Sequence, residues 1–273
     1  MRAAVVGHVE WVEFAIVDRI PASGEIAHAT DPFDEPAGGG AVAAVQLARL
    51  AGSAELFTAI GDDGLGERSR VRLDELGVEV HAAVRDRPTR RALTLVDSAR
   101  ERTITTIGDR LAPRGEDPLP WERLEGVDGV YFTAGDGAAL RAARGARVLV
   151  ATPRAGRVLQ DASVPVDVLV FSDRDADERA AAEALDPPPA LVVATQGADG
   201  GRWVDGAGEQ GRWEAEPPPG PAADTYGSGD SFAGALTWAL ASGKPIPEAV
   251  RIAARAGAIC MTGRGPYERQ LTA

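Results

Sequence analysis

The stretch Asp224-Thr225-Tyr226-Gly227-Ser228-Gly229-Asp230-Ser231-Phe232-Ala233-Gly234-Ala235-Leu236 gathers the residues best suited to chemistry. Small residues at 227–229 let the main chain turn tightly and approach a ligand closely. A helix is predicted to begin directly after them. Its first N–H groups have no internal acceptor, and with the positive end of the helix dipole they form an anion site. Asp230 falls in the first turn, beside that site. A carboxylate next to a bound phosphate is repelled unless it takes part in the reaction, and removing a proton from an attacking hydroxyl is such a part. A capping Asp beside a tight turn would leave a similar trace, so the string is weighed with the elements around it.

Those elements alternate. Arg2–Val6 reads as a buried strand closed by Gly7. Glu13–Thr30 differs in character: Phe14–Val17 and Glu25–His28 are short alternating pieces joined by a Pro-Ala-Ser-Gly turn, which predicts a hairpin. Gly38-Gly39-Gly40 opens an Ala-rich helix that stops at Gly52. Ala54–Ile60 is the next strand, and after Gly61-Asp62-Asp63-Gly64-Leu65-Gly66 a helix runs to Leu76. A second β-rich insert spans Arg90–Thr106. Strands are then predicted at 129–133, 147–151, 166–171 and 190–195, a short antiparallel pair around Trp203 and Trp213, and helices at 228–242 and 247–261. Fully apolar strands such as Leu191-Val192-Val193 suit a parallel sheet covered on both faces. The expected class is α/β, with a body over 1–13, 31–89 and 107–273 and a small β lid from 14–30 and 90–106. Such a lid would cover the crevice beyond the C-terminal ends of the strands, where open α/β sheets bind ligands.

The chain has 273 residues, 44% of them apolar, enough to bury a sizeable core. Lys and Arg number 29 against 41 Asp and Glu, a net charge of −12. That surface repels nucleic acid and anionic lipid, so neither is expected as a partner; nucleotide phosphates remain possible ligands because they are held locally. A lone cysteine, Cys260, excludes an internal disulfide and fits a reducing, cytoplasmic compartment. No targeting segment is recognised before Arg2–Val6, and no window reaches the roughly 18 apolar residues of a membrane span.

The 224–236 string resembles the C-terminal signature of the ribokinase-like (PfkB) carbohydrate kinases, D-T-x-G-A-G-D-x-F, with Ser228 for Ala. Gly38-Gly39-Gly40 resembles the substrate-binding Gly-Gly segment of that family, the 61–66 loop its G-D-D-x-x-G, Arg102-Thr103-Ile104 a lid-strand motif, and Thr195-Gln196-Gly197-Ala198-Asp199-Gly200 its nucleotide-site turn. The resemblance implies a three-layer ribokinase-like fold with a mostly parallel central sheet, and transfer of the γ-phosphoryl group of ATP to a hydroxyl of a small molecule. It implies Asp230 as general base, the amides of Gly227, Ser228 and Gly229 as an anion hole, and Thr195, Gly197, Thr225, Ala254 and Gly257 at the nucleotide. It also implies Mg²⁺ as a cofactor, a monovalent cation near Gly263-Arg264-Gly265, and a homodimer formed through the lid.

At the acceptor end the sequence departs from that pattern. Val42 and Ala43 stand where the family places a sugar-binding Asn, and Glu10 and Glu13 lie near its sugar-binding Asp without aligning cleanly. Both glutamates, with Gly38–Gly40, are substrate-site candidates; His8 facing the same pocket is the minority reading of that residue. The family's N-x-x-E motif reads Ser172-Asp173-Arg174-Asp175, which leaves Asp175 as the metal candidate through a bound water. A sugar or sugar-like polyol is the expected acceptor. A nucleoside or vitamin precursor, or a ligand-binding relative without catalysis, are the alternatives.

Overall fold

Ala3-Ala4-Val5-Val6 is wholly apolar because both its faces are covered. In the computed structural model, which describes residues 1–273, it forms β1 at the interior of a nine-stranded sheet. Along the chain follow β2 (Glu10–Ile16), β3 (Thr30–Ala37), α1 (Gly39–Ala51), β4 (Ala54–Gly61), α2 (Gly64–Glu75), β5 (Val78–Arg85), β6 (Arg91–Val96) and β7 (Arg102–Ile107). Then come β8 (Gly129–Phe132), α3 (Gly137–Ala143), β9 (Val148–Ala151), α4 (Val158–Asp161), β10 (Val168–Ser172), α5 (Ala176–Glu183), β11 (Leu191–Thr195), β12 (Gly201–Asp205), β13 (Gln210–Trp213), α6 (Ser228–Ala241) and α7 (Ile246–Cys260).

The large sheet has the order β13-β12-β11-β10-β9-β8-β1-β4-β5. From β11 to β5 all neighbours are parallel, and β12 and β13 add an antiparallel end. Alternation along β1 sends Ala3 and Val5 into a core shared with α1, α6 and α7, while Ala4 and Val6 enter a second core with α3 and α4. Those two cores make the three layers anticipated from the sequence.

The second sheet, β3-β2-β6-β7, joins the two inserts through a parallel β2–β6 pair. Its first hairpin differs from the sequence reading: β2 starts at Glu10 rather than Phe14, and its partner is Thr30–Ala37, not 25–28. Pro32 and Pro36 argue against a strand on propensity, but β3 is an edge strand, where a missing N–H costs no ladder bond. One face of this sheet, with Val12, Phe14, Ala92, Thr94 and Val96, is buried. Phe14 stacks on Phe33 at 4.5 Å and meets the Tyr226 ring edge-on at 5.0 Å, which seats the lid on the loop before α6.

α6 packs against α1 where Gly234 faces Ala43: a Cβ at 234 would lie 2.8 Å from the Ala43 carbonyl oxygen. Gly234→Ala is therefore expected to force the two helices apart and lower stability by about 1–3 kcal/mol. Urea unfolding of both proteins checks this; unchanged stability would mean that the contact is not tight.

Candidate active site

After β1 the chain builds β4 and β5 on one side and, later, β8 to β11 on the other, so a crevice opens beyond the C-terminal end of β1. Five residues sit at these strand ends. His8 follows β1, Thr133 follows β8, Arg154 follows β9, and Ser172 and Thr195 close β10 and β11 in adjacent register.

The N-terminus of α6 arrives over these ends. Gly227 is left-handed at φ 78°, and no side chain caps the helix, so apart from a long bond from the Ser228 N–H to the Thr225 carbonyl oxygen (3.5 Å) its first N–H groups are free for a ligand. A Cβ at Gly227 would lie 3.0 Å from both Pro266 and Val42, whereas at Gly229 it would meet nothing within 4 Å. The loop is thus held on one side and open on the other. Asp224 pins it from beneath, accepting hydrogen bonds from the Tyr226 N–H (2.5 Å) and from the Gly265 N–H (3.1 Å).

Asp230 is partly exposed. A Cβ on Gly39 would lie 3.1 Å from its Oδ1, 3.1 Å from Thr133 Oγ1 and 3.6 Å from His8 Cε1. One on Gly38 would lie 3.0 Å from His8 Cδ2 and 3.3 Å from Glu10 Cγ. Gly38-Gly39-Gly40, Asp230, Thr133, His8 and Glu10 therefore share one place, and only bare main chain at 38 and 39 leaves room there. α1, which starts at Gly39, also has no side-chain cap. Two positive helix ends face the same carboxylate.

The electrostatics follow from burial. Desolvation raises the Asp230 pKa above the usual carboxylate range, opposed by the charges of Arg154 and Arg102. Burial also raises Glu10, against the pull of Arg90 and Arg110. His8 is pushed down to about 3, first by burial and then by Arg110, Arg90 and Arg154, so it is neutral at physiological pH. Arg154 is fixed by Glu178, whose Oε1 accepts from Nε at 2.5 Å while Oε2 accepts from the Ser172 N–H at 3.0 Å.

Other candidate residues separate. Glu13 stands apart from Glu10: it lies on the other face of the lid sheet and accepts from Arg91 Nη2 at 2.8 Å. Period-two alternation puts it opposite Glu10. Thr195 donates to the Phe171 carbonyl at 3.2 Å, and Gly197, at φ 62°, lies under the Arg174 guanidinium. Thr225 receives both bonds of the lid residue Arg102, whose Nη1 reaches its carbonyl oxygen at 2.6 Å and its hydroxyl at 2.7 Å. Ala254 is partly exposed. Gly257 is buried, and a Cβ there would lie 3.1 Å from the Ser228 carbonyl oxygen, so it lets α7 close on α6. Asp175 caps α5 through Oδ1, which accepts from the Asp177 and Glu178 N–H groups. Its Oδ2 makes no such bond, so a water-mediated Mg²⁺ contact fits there.

Sequence reasoning missed Thr133, Arg154, Glu178, Arg90 and Arg110. Thr133 and Arg154 were within reach, because each ends or directly follows a predicted parallel strand. The other three act through long side chains from flanking segments and carry no local signal.

The pfkB family carbohydrate kinase description matches residues 2–273. The chain belongs to this family. It is a kinase whose acceptor is an alcohol group. Similar solved structures include the ribokinase of Thermotoga maritima (TM-score 0.77, 23% identity, 97% of this chain and 94% of that one). A ribokinase from Cryptococcus neoformans var. grubii in complex with ADP (0.76, 23%, 99% and 97%) and the adenosine kinase of Sinorhizobium meliloti (0.76, 21%, 97% and 95%) share the fold as well. No helix of the kinase is long and apolar enough to cross a membrane.

A carboxyl whose pKa is raised on folding stabilises the fold while protonated and loses that contribution as pH rises through the folded pKa. Asp230→Asn is therefore expected to raise Tm at about pH 8 and to have little effect below the unfolded value of about 3.9. Thermal melts across that range check it; a lower Tm for the variant at the alkaline end would contradict the desolvation of Asp230.

Proposed function

We propose that this kinase transfers the γ-phosphoryl group of ATP to a hydroxyl of a sugar or sugar-like polyol, with Asp230 as the general base. The observation that carries the reading is the position of Asp230 over the bare main chain of Gly39, beside the uncapped start of α6. A hydroxyl lying over Gly38-Gly39 would hydrogen-bond to Asp230, which accepts its proton as the oxygen attacks the phosphorus. The amides of Gly227, Ser228 and Gly229, pre-aimed by the left-handed turn, would then neutralise charge on the moving phosphoryl group without reorganising. Arg154 adds a fixed positive charge on the same side and holds Asp230 towards its ionised form. Neutral His8 would serve as a hydrogen-bonding wall for the acceptor rather than as a rival base.

Thr195, Gly197, Thr225 and Ala254 would line the route for the nucleotide from β11 to α7. Gly257 supports it by close packing. Asp175 would hold a water of bound Mg²⁺ through Oδ2; the ion supplies charge neutralisation at the phosphates. The neighbour crystallised with ADP supports a nucleotide on this fold. Arg102, clamped on Thr225, would close the lid over both substrates and exclude water. The adenosine kinase neighbour keeps a nucleoside as the second acceptor class.

Asp230→Asn is expected to lower kcat by about 10²–10⁴-fold while an ATP analogue still binds by calorimetry. Near-normal turnover would overturn the assignment of the base.

A further inference from the structure

Three guanidinium groups surround the acceptor side of this pocket, and they are unevenly paired. Arg90, tied to the lid by the bond from the Trp11 N–H to its carbonyl oxygen (2.9 Å), points its Nε at Glu10 Oε2 across 3.3 Å. That Nε is buried yet makes no hydrogen bond. Arg110 reaches in from the end of the second insert and places Nη1 3.2 Å from the Arg154 carbonyl oxygen. It has no carboxylate within salt-bridge distance, and the residue is exposed. Arg154 is held by Glu178 and is also exposed on its open side. Between them lies His8, 8% exposed, with Nδ1 unpartnered.

A neutral sugar does not call for this arrangement. Hydroxyls are read well by main-chain groups, carboxylates and amides. A guanidinium fork matches a planar carboxylate or a phosphate and makes its strongest bonds there. Glu10 faces Arg90 and Glu178 holds Arg154, so Arg110 is the one of the three left without a carboxylate, and an anion would balance it. The chain's net charge of −12 would repel an anionic substrate, so an unpaired local cation such as Arg110 is needed to hold one.

We infer that the acceptor is an anionic polyol, bearing a carboxylate or a phosphate that Arg90 and Arg110 bind near His8 while its reacting hydroxyl lies at Asp230. The spacing orders the pocket. The space beside Gly39 is bounded by Asp230 and His8, the space beside Gly38 by His8 and Glu10, and Glu10 leads to Arg90. The reacting hydroxyl and the anionic group thus occupy opposite ends of one small ligand. This inference rests on the kinase reading.

The test uses matched acceptors, each polyol supplied as the neutral sugar, the sugar acid and the sugar phosphate, with ADP release and calorimetry in the presence of a non-hydrolysable ATP analogue. Wild-type protein is expected to prefer an anionic member, with a KM that rises with ionic strength. Whether acid or phosphate is preferred tells the two sources apart. Arg110→Gln, and separately Arg90→Gln, is expected to lower the anionic-to-neutral ratio of kcat/KM by about tenfold or more. A wild-type preference for neutral members, or equal losses on both kinds, would overturn the inference and leave the kinase reading standing. If no acceptor is turned over, the kinase reading fails by itself. Calorimetry then decides the inference: anion binding weakened by Arg110→Gln upholds it, and absence of anion binding overturns it.

Discussion

A carboxylate oxygen of Asp230 occupies the space that a side chain on Gly39 would need. That contact joins the start of α6 to the start of α1, and much of the fold keeps it in place. β1 positions Gly7 and His8, and a Cβ on Gly40 would lie 2.7 Å from the His8 carbonyl oxygen, so α1 begins hard against the strand end. Gly234 lets α6 lie along α1. Gly257 lets α7 lie along α6. Close approach of three helices to one strand end puts two uncapped, positively polarised helix starts around one partly desolvated acid. The acid is costly to ionise there, and Arg154 and Arg102 offset that cost. A base of raised pKa facing aligned amides follows from packing, not from any one residue.

The lid belongs to the same construction. Phe14 and Phe33 seat it on Tyr226, and Arg102 fastens its far strand to Thr225. Because Tyr226 and Thr225 immediately precede the anion-binding turn, the position of the lid and the shape of that turn are mechanically linked. Glu10 and Arg90 complete the acceptor side from the lid strand and its flank.

Much of this was legible in the sequence where the backbone itself demands a residue type. Gly227 needs a left-handed turn, Gly39 needs the absence of a Cβ, and Asp230 needs the first helical turn; those demands leave local patterns. β3 was displaced in the reading because Pro32 and Pro36 disguise an edge strand. The same error in the hairpin hid the difference between Glu10 and Glu13. Once β2 begins at position 10, alternation alone puts Glu10 on one face with Val12 and Phe14 and Glu13 on the other with Trp11, which Arg68 covers. Arg110, Arg90 and Glu178 stayed invisible for another reason. Long side chains converge from separate segments, and their meeting place is set by tertiary structure that no local spacing encodes.

The central claim is that Asp230 and the amides at the start of α6 act on one transferring group. A crystal structure with Mg²⁺, ADP, an acceptor polyol and aluminium fluoride as the phosphoryl mimic tests it most directly. The fluoride group is expected to be bound by the N–H groups of residues 227–229, with an acceptor hydroxyl about 2.6–3.2 Å from the Asp230 carboxylate. A mimic bound away from the α6 N-terminus, or an acceptor whose hydroxyls all avoid Asp230, would contradict it.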